Sequence, residues 1–562
     1  MKTYYGITIG PIIKTLMKAR KTRELWAASY LFSYLMKSLI KVLKENKAEF
    51  IVPFTDEINW GGNVHNILDK PNGAGLFADR CVFYFPEAMS EPSSFDLVIK
   101  VIEQTKLNIV KEVIDYLVRQ KLFSERRSER EDQLKQHFLD YLQVYAVERD
   151  FENPDIVKKY SEAARDVPEQ NAEPPMNPAL QAKNIVREIY GDLDVLELQS
   201  QVIPLESTPW IELFINKAAL MRQQPSSFLV DDALQGDAFE RNRFESLIEI
   251  AARELVDHLD REEQTSFLSK IENDANEESL MDYLKGKNPG LFKTPHKYIA
   301  IIQADGDKIG ACIKELDNSQ YLKFSKALLA FSLHASDAIR DYGGLPVYIG
   351  GDDLLFFAPI RYGARDVFSL IDDLDALFSA FLSPLALSSQ PTLSFGISIA
   401  YYKFPLNENR EKALSQLSEV AKQFKFRKGV KNAVATFVQK HSGQTFGLTL
   451  QKSAEVGSSY AVFKELVRMH IEQQHFLNSV SQHLSRDWPL ILKIYSEKEK
   501  LKSLFDNNFN EGIHQEGKNR HFLEKLQEMI LAMGRDFQEK HLQESIYGAL
   551  RLIKFLNRDD ND

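Results

Sequence analysis

Apolar residues recur along the chain with two periods, one near 3.6 and one near 2, and the alternation between them divides the sequence. Residues 1–50 read as a strand, a turn at Gly10-Pro11 and a long helix, on which Ile12, Leu16, Leu25, Tyr30, Tyr34 and Leu39 fall near helical spacing. Glu49–Phe54 and the aromatic-rich Arg80–Phe85 have strand character, and Asn72-Gly73-Ala74-Gly75 between them reads as a loop. A helix is predicted from about Phe95 to Leu122 and another strand at Gln143–Val147. This succession predicts a small α+β domain.

The pattern then breaks. Residues 166–180 (DVPEQNAEPPMNPAL) have the Pro, Asn and Glu content of a linker. Residues 180–285 are mostly helical in pattern and carry no catalytic spacing, and Asn288-Pro289-Gly290 with Pro295 marks a boundary. From Lys297 the strand pattern returns. Tyr298–Ala304 ends in Asp305-Gly306-Asp307, Tyr321–Tyr342 is an amphipathic helix, and Val347–Ile349 and Leu354–Phe357 flank Gly350-Gly351-Asp352-Asp353 as a hairpin. Thr392–Tyr401 reads as a strand, Glu411–Phe426 as a helix and Ala433–Val438 as a last strand, a βαββαβ order of the ferredoxin-like split type. Residues 458–562 are helical again. One apolar stripe runs through Phe522, Leu526, Met529, Ile530 and Met533, another through Ile546, Leu550, Ile553 and Leu556. Such stripes form a bundle core or a subunit-docking face. The expected fold is α+β and multidomain, with divisions at 1–165, 166–290, 291–445 and 446–562.

Length and composition agree with several cores in one chain. At 562 residues a single core is excluded, and 44% apolar with 27% charged residues is ordinary for a globular protein. No apolar run of membrane-spanning length exists, and Lys14, Lys18, Arg20 and Lys21 interrupt the N-terminal apolar stretch as no signal peptide allows. Only Cys81 and Cys312 are present, so a reducing cytoplasm is the expected compartment. The net charge of −10 conceals two local basic clusters: the first 50 residues, and 422–431 with Lys422, Lys425, Arg427, Lys428 and Lys431. Either is a solvated face or a surface that meets phosphates.

The two acidic turns carry the candidate chemistry. In a βαββαβ sheet the first strand and the central hairpin are neighbours, so Asp305, Asp352 and Asp353 converge on one edge. Carboxylates packed that closely repel, and a hard divalent cation relieves the repulsion. Mg²⁺ or Mn²⁺ keeps positions open for phosphate, which makes a nucleoside triphosphate the natural ligand. Gly306 lets the backbone approach a phosphate or a metal, and Gly350 and Gly351 permit a tight turn. Lys422, Lys425 and Lys431 follow where a cation would stabilise leaving pyrophosphate. An EF-hand is a poor rival, because its DxDx(D/N)G pattern and closing Glu are absent.

The stretches ADGDKIG (304–310), GGDDLLFF (350–357), SFGISIAYYKFPL (394–406) and GVKNAVA (429–435) closely resemble the palm domain of the large subunit of type III CRISPR effector complexes. ITIGPIIKTLMKARKTRELWAASYL (7–31) is similar to the opening of the type III-B version. The resemblance implies two ferredoxin-like palms, a helical domain between them and a C-terminal helical bundle, with the GGDD site in the second palm alone. It implies a setting among guide RNA, target RNA and other subunits, including a small helical subunit at the C-terminal bundle. It also implies an activity, the target-RNA-dependent conversion of ATP into cyclic oligoadenylate. Carried over, Asp305, the Gly306 backbone, Asp352 and Asp353 hold metal, while Asp307, Lys308, Gly310, Gly350, Gly351, Lys422, Lys425 and Lys431 surround the nucleotide. Many relatives carry an HD nuclease; none of the twelve histidines here precedes an Asp, so no DNase activity is expected. The zinc that relatives often hold in the middle domain is not expected either, for want of cysteines.

Some members of this family are thought to join AMP to S-adenosylmethionine. Such a cationic acceptor calls for carboxylates in the first palm, and Asp69 and Glu148 are the candidates. Two other readings stand beside these. One is an RNA-binding scaffold without catalysis. The other is a diguanylate cyclase, whose GG(D/E)EF hairpin differs from the GGDDLL found here.

Overall fold

The computed structural model describes residues 3–68, 74–86, 93–119, 127–152, 157–160, 185–199, 245–272, 277–387, 389–427, 429, 431–453, 455–469, 474–510, 512–515 and 517–557. In the N-terminal part, β1 (Thr3–Gly10), β2 (Glu49–Val52), β5 (Arg80–Tyr84), β6 (Gln143–Asp150) and β7 (Val157–Tyr160) form a sheet of order β2-β5-β1-β6-β7, beside a separate hairpin of β3 (Glu57–Trp60) and β4 (Asn63–Asn66). The first four follow the split βαββαβ path, with Thr22–Glu45 and Ser94–Arg119 as crossover helices. β1 is buried on both faces because both are covered. Tyr5 stacks on Phe95 of one crossover helix. The neighbouring Gly6 faces the other way, where a Cβ would lie 2.2 Å from Ile189 of helix Ile185–Gln199.

The second sheet holds β8 (Tyr298–Asp307), β9 (Leu345–Gly350), β10 (Asp353–Pro359), β13 (Thr392–Tyr401), β14 (Ala433–Gln439) and β15 (Thr445–Gln451) in the order β15-β14-β13-β8-β10-β9; β11 (Arg361–Tyr362) and β12 (Arg365–Asp366) form a small hairpin apart. The path differs from the sequence reading in one respect. The second crossover is the helix Val367–Leu382, which the apolar pattern reading passed over, and β13 is the fourth strand of the unit. That helix is capped by Asp366, whose carboxylate accepts from the Phe368 and Ser369 amides, and it buries Phe368, Ile371, Leu374 and Phe378. The segment read as the closing helix, 411–426, instead runs Leu406–Ser415, passes into a π-helical turn at Gln416–Ala421 and leads to β14, which is parallel to β13. It rests directly on Gly396 of β13, where a Cβ would come within 2.3 Å of the Ala413 carbonyl and the Leu417 amide.

Backbone and side chains join the two sheets. Gly75, expected only as loop, pairs in parallel with Tyr348 of the edge strand β9: the Ile349 amide donates to the Gly75 carbonyl at 2.9 Å, and the Gly75 amide to Val347 at 3.3 Å. Nearby, the Phe54 amide donates to Ser325 Oγ at 2.8 Å and Trp60 Nε1 to Asp337 at 2.7 Å.

The C-terminal helices, among them Ser459–Arg468, Gln474–Ile494, Gly517–Asp536 and Glu539–Leu556, pack against the outer end of the second sheet. Phe555 meets Tyr298 edge-on at 4.8 Å, and Gly548 lets its helix close on the Gly447 carbonyl. Both apolar stripes expected there are buried, so they are core and not free docking faces. The expected linker at 166–180 lies outside the described residues. Among the described residues no helix is long and apolar enough to cross a membrane.

A methyl at position 396 has no room unless the Leu406–Ala421 segment shifts. Gly396→Ala is expected to lower stability by about 1–3 kcal/mol, read as a lower midpoint in calorimetry. Gly286→Ala, at a helical glycine with open space around it, serves as the control and leaves the midpoint unchanged or slightly higher.

Candidate active site

The Gly350-Gly351 turn is needed because β9 and β10 pair as far as Gly350↔Asp353, leaving two residues to reverse the chain. Gly351 takes φ +78°, and its amide donates to Ser332 Oγ at 2.9 Å. β10 lies beside β8 with Leu354 opposite Ala304, which brings Asp353 next to Asp305. Gly306 is required by contact. A Cβ there would lie 2.6 Å from Asp352 Oδ2, and the Gly306 amide donates to that carboxylate.

Burial raises the carboxyls of both Asp352 and Asp353. For Asp353 the charges of Asp352 and Asp79 add to the burial, and its carboxyl is pushed up to about 7. The Tyr348 hydroxyl is held well above its usual range by burial and by the same three acids. Opposing charge comes from Lys422, whose Nζ pairs with Asp305 and donates to the Gly306 carbonyl at 3.3 Å. With Asp305 so engaged, no three Asp, Glu, His or Cys groups among the described residues enclose a point where an ion would sit. The donor set is nonetheless all oxygen and deficient in positive charge, which fits a hard divalent cation once Asp305 turns from Lys422.

Asp305, Asp353, Tyr348 and Lys422 line a cavity of about 440 Å³ between the two sheets. The first sheet and its helices supply Ile9, Ile12, Leu16, Phe32, Phe77 and Asp79; the second supplies Gln303, Asp305, Tyr348, Asp353, Arg410 and Lys422 among others.

Several expected site residues stand elsewhere. Asp307 is fully buried, and its Oδ2 accepts from Ser394 Oγ (2.7 Å), Thr392 Oγ1 (3.0 Å) and the Asn432 amide (2.8 Å). It therefore secures the left-handed Lys431-Asn432 turn and does not line the cavity. Lys308, at φ 64°, begins the short helix Ile309–Ile313 that contains Gly310; neither residue lines the cavity, and Lys425 is exposed. Lys431 is near enough for its charge to act on Lys422. Glu148 is buried in the first sheet against Tyr5 and paired with Lys158 at 2.7 Å, away from the cavity lining. Asp69 lies outside the described residues. Sequence reasoning missed Asp79, Gln303, Tyr348 and Arg410. Arg410 had a signal, since Arg410, Leu414, Ser418 and Lys422 recur every fourth position and all line the cavity. Asp79 had none, because only the meeting of the two sheets places it there.

The chain matches two family models, "CRISPR-associated protein Cmr2, N-terminal" over residues 4–116 and "Cas10/Cmr2, second palm domain" over residues 298–435. The CRISPR system Cmr subunit Cmr2 of Pyrococcus furiosus is 27% identical over 169 residues, a match covering 25% of this chain and 19% of that protein. This chain is similar in fold to a type III-B Cmr-beta chain in the apo state (TM-score 0.55, 11% identity, 99% of this chain and 81% of the other). It is also similar to a chain of type III-B Cmr-beta bound to cognate target RNA (TM-score 0.57, 12% identity, 90% and 78%). The second family model lies on the strands that carry Asp305 and the Gly-Gly-Asp-Asp turn, so the chain carries a Cas10/Cmr2 second palm domain preceded by a Cmr2 N-terminal region.

Proposed function

We propose that this chain is the large subunit of a type III-B CRISPR effector complex, and that its second sheet is a palm that transfers adenylyl groups from ATP. The observation that carries this reading is the convergence of Asp305 with the Asp352-Asp353 pair beside a cavity that Lys422 also lines. The two βαββαβ units would be the two palms, within divisions at 1–165, 166–290, 291–445 and 446–562. The basic N-terminal region and the likeness to Cmr-beta support a place beside guide and target RNA, with other subunits around it and a small helical one against the C-terminal bundle.

Asp305, Asp352, Asp353 and the Gly306 carbonyl would hold Mg²⁺ or Mn²⁺. Such ions, when bound, neutralise the acids and polarise the phosphoryl oxygens of ATP. The apolar walls exclude water from a bound nucleotide. Lys422, released from Asp305, and Lys431 would carry the charge that builds on pyrophosphate as it leaves. In the transfer a hydroxyl of the acceptor attacks the α-phosphorus, the new P–O bond forms, the bond to the β-phosphate oxygen breaks, and the hydroxyl proton passes to solvent. With a second ATP as acceptor, repeated transfer and ring closure give cyclic oligoadenylate.

A second acceptor, S-adenosylmethionine, is favoured by Asp79. This carboxylate faces the cavity from the first-sheet side, where it suits a cationic group and repels a triphosphate. It takes the role expected of Asp69 and Glu148.

The test is mass spectrometry of products formed by the assembled complex from ATP, with and without S-adenosylmethionine, in the presence of target RNA and Mg²⁺. Asp352→Ala with Asp353→Ala is expected to abolish product and pyrophosphate release while leaving assembly intact. Continued turnover by that variant would sink the assignment. Tight RNA-dependent assembly without any product from the native chain would favour a scaffold. Gly306→Ala, which displaces Asp352, is expected to lower turnover about 10- to 100-fold.

Cation binding has a defined pH dependence. The folded Asp353 carboxyl is raised above its unfolded value, so the ion-free fold loses stability as pH climbs from about 4 to about 7. Below that upper limit a cation must displace the proton; above it the site is already ionised. The thermal midpoint is expected to rise more on adding Mn²⁺ at pH 8 than at pH 6. In Asp353→Asn this difference is expected to shrink, leaving the part due to Asp352.

A further inference from the structure

Arg410 is 2% exposed and lines the cavity between the sheets. Among the described residues its guanidinium makes no hydrogen bond or ion pair, and its Nε is buried with no acceptor. Burial lowers its pKa, and only the charge of Glu411 opposes this. An arginine desolvated without a counter-charge destabilises the fold that holds it. The fold keeps it at the wall of a cavity that also holds the candidate catalytic acids.

We propose that Arg410 is the floor of an oxyanion subsite, which takes a phosphate or carboxylate oxygen of the acceptor substrate. This rests on the nucleotidyl-transfer reading above and deepens it. Position separates this subsite from the donor's. Arg410 lies in the Leu406–Ala421 segment and Lys422 directly follows it, with their backbones somewhat less than roughly 18 Å apart along the axis, so the two cations enter the cavity from different places. Lys422 sits at Asp305 and Gly306, where the reading above would put the donor's reacting phosphorus. Arg410, which has no part in the Asp305 cluster, is assigned to the other molecule. A planar guanidinium binds phosphate or carboxylate in bidentate fashion, and here it does so out of water, where such a pair is strong.

The test uses the full-length chain, with Arg410→Met and Arg410→Lys variants, thermal unfolding without ligand, and calorimetric titration with adenosine, ATP and S-adenosylmethionine. The Met variant is expected to unfold at the same or a higher temperature, to bind adenosine as before, and to bind the anion-bearing acceptor about 10- to 100-fold more weakly. The Lys variant is expected to recover part of that affinity. Weaker binding of ATP identifies the anion as phosphate; weaker binding of S-adenosylmethionine alone identifies it as carboxylate. A Met variant that melts lower and binds both molecules as the native chain does would overturn the subsite and leave Arg410 a structural residue. Failure of the native chain to bind any nucleotide would instead overturn the transferase reading. In that case a rise in melting temperature with inorganic pyrophosphate, present in the native chain and absent from the Met variant, still establishes the subsite, and equal rises in both refute it.

Discussion

Three carboxylates held close together at one end of the second sheet are the constraint on which this structure turns. Asp352 and Asp353 can sit beside the end of β8 only because Gly306 has no side chain and because the Gly350-Gly351 turn is tight. Once there, they repel one another and are partly withdrawn from water, so the Asp353 carboxyl is pushed up to about 7. Lys422 offsets part of the charge through Asp305. That lysine is in turn positioned by a helix seated on Gly396 and wound through a π turn. A pair of glycines on neighbouring strands thus sets the spacing between acid and base.

The second sheet alone would leave this charge open to water. The first sheet covers part of it. The clasp at Gly75, where loop backbone joins the edge of β9, brings Phe32, Phe77 and Asp79 over the acids. Asp79 then contributes to the field at Asp353 from another part of the chain. Farther along the same strand as Asp305, Asp307 bonds inward to β13 and the Asn432 amide. One strand end therefore provides both a group for chemistry and the anchor for the turn that carries Lys431. The cavity's two cations differ in the same way: Lys422 has its carboxylate, whereas Arg410 faces the cavity without one.

Much of this was legible beforehand. The acidic turns, the strands bearing them and both C-terminal stripes follow from local period and turn chemistry, which depend on near neighbours. The helix Val367–Leu382 was legible and overlooked, since its Asp366 cap and apolar face are local signals. Asp307 was misassigned for another reason. A DGD triplet does not say which carboxylate faces solvent, and the answer lay in Thr392, Ser394 and Asn432, far along the chain.

By itself the sequence determined where the carboxylates lie, the strand order that makes them neighbours, and which glycines permit the approach. These are properties of short segments and of a sheet's fixed pleat. Tertiary structure alone decided that Asp79 enters the cavity, that Glu148 is taken up by Lys158, and that Gly75 is a clasp instead of a loop. The burial of a charge depends on what packs over it, and here the covering elements come from parts of the chain hundreds of residues away.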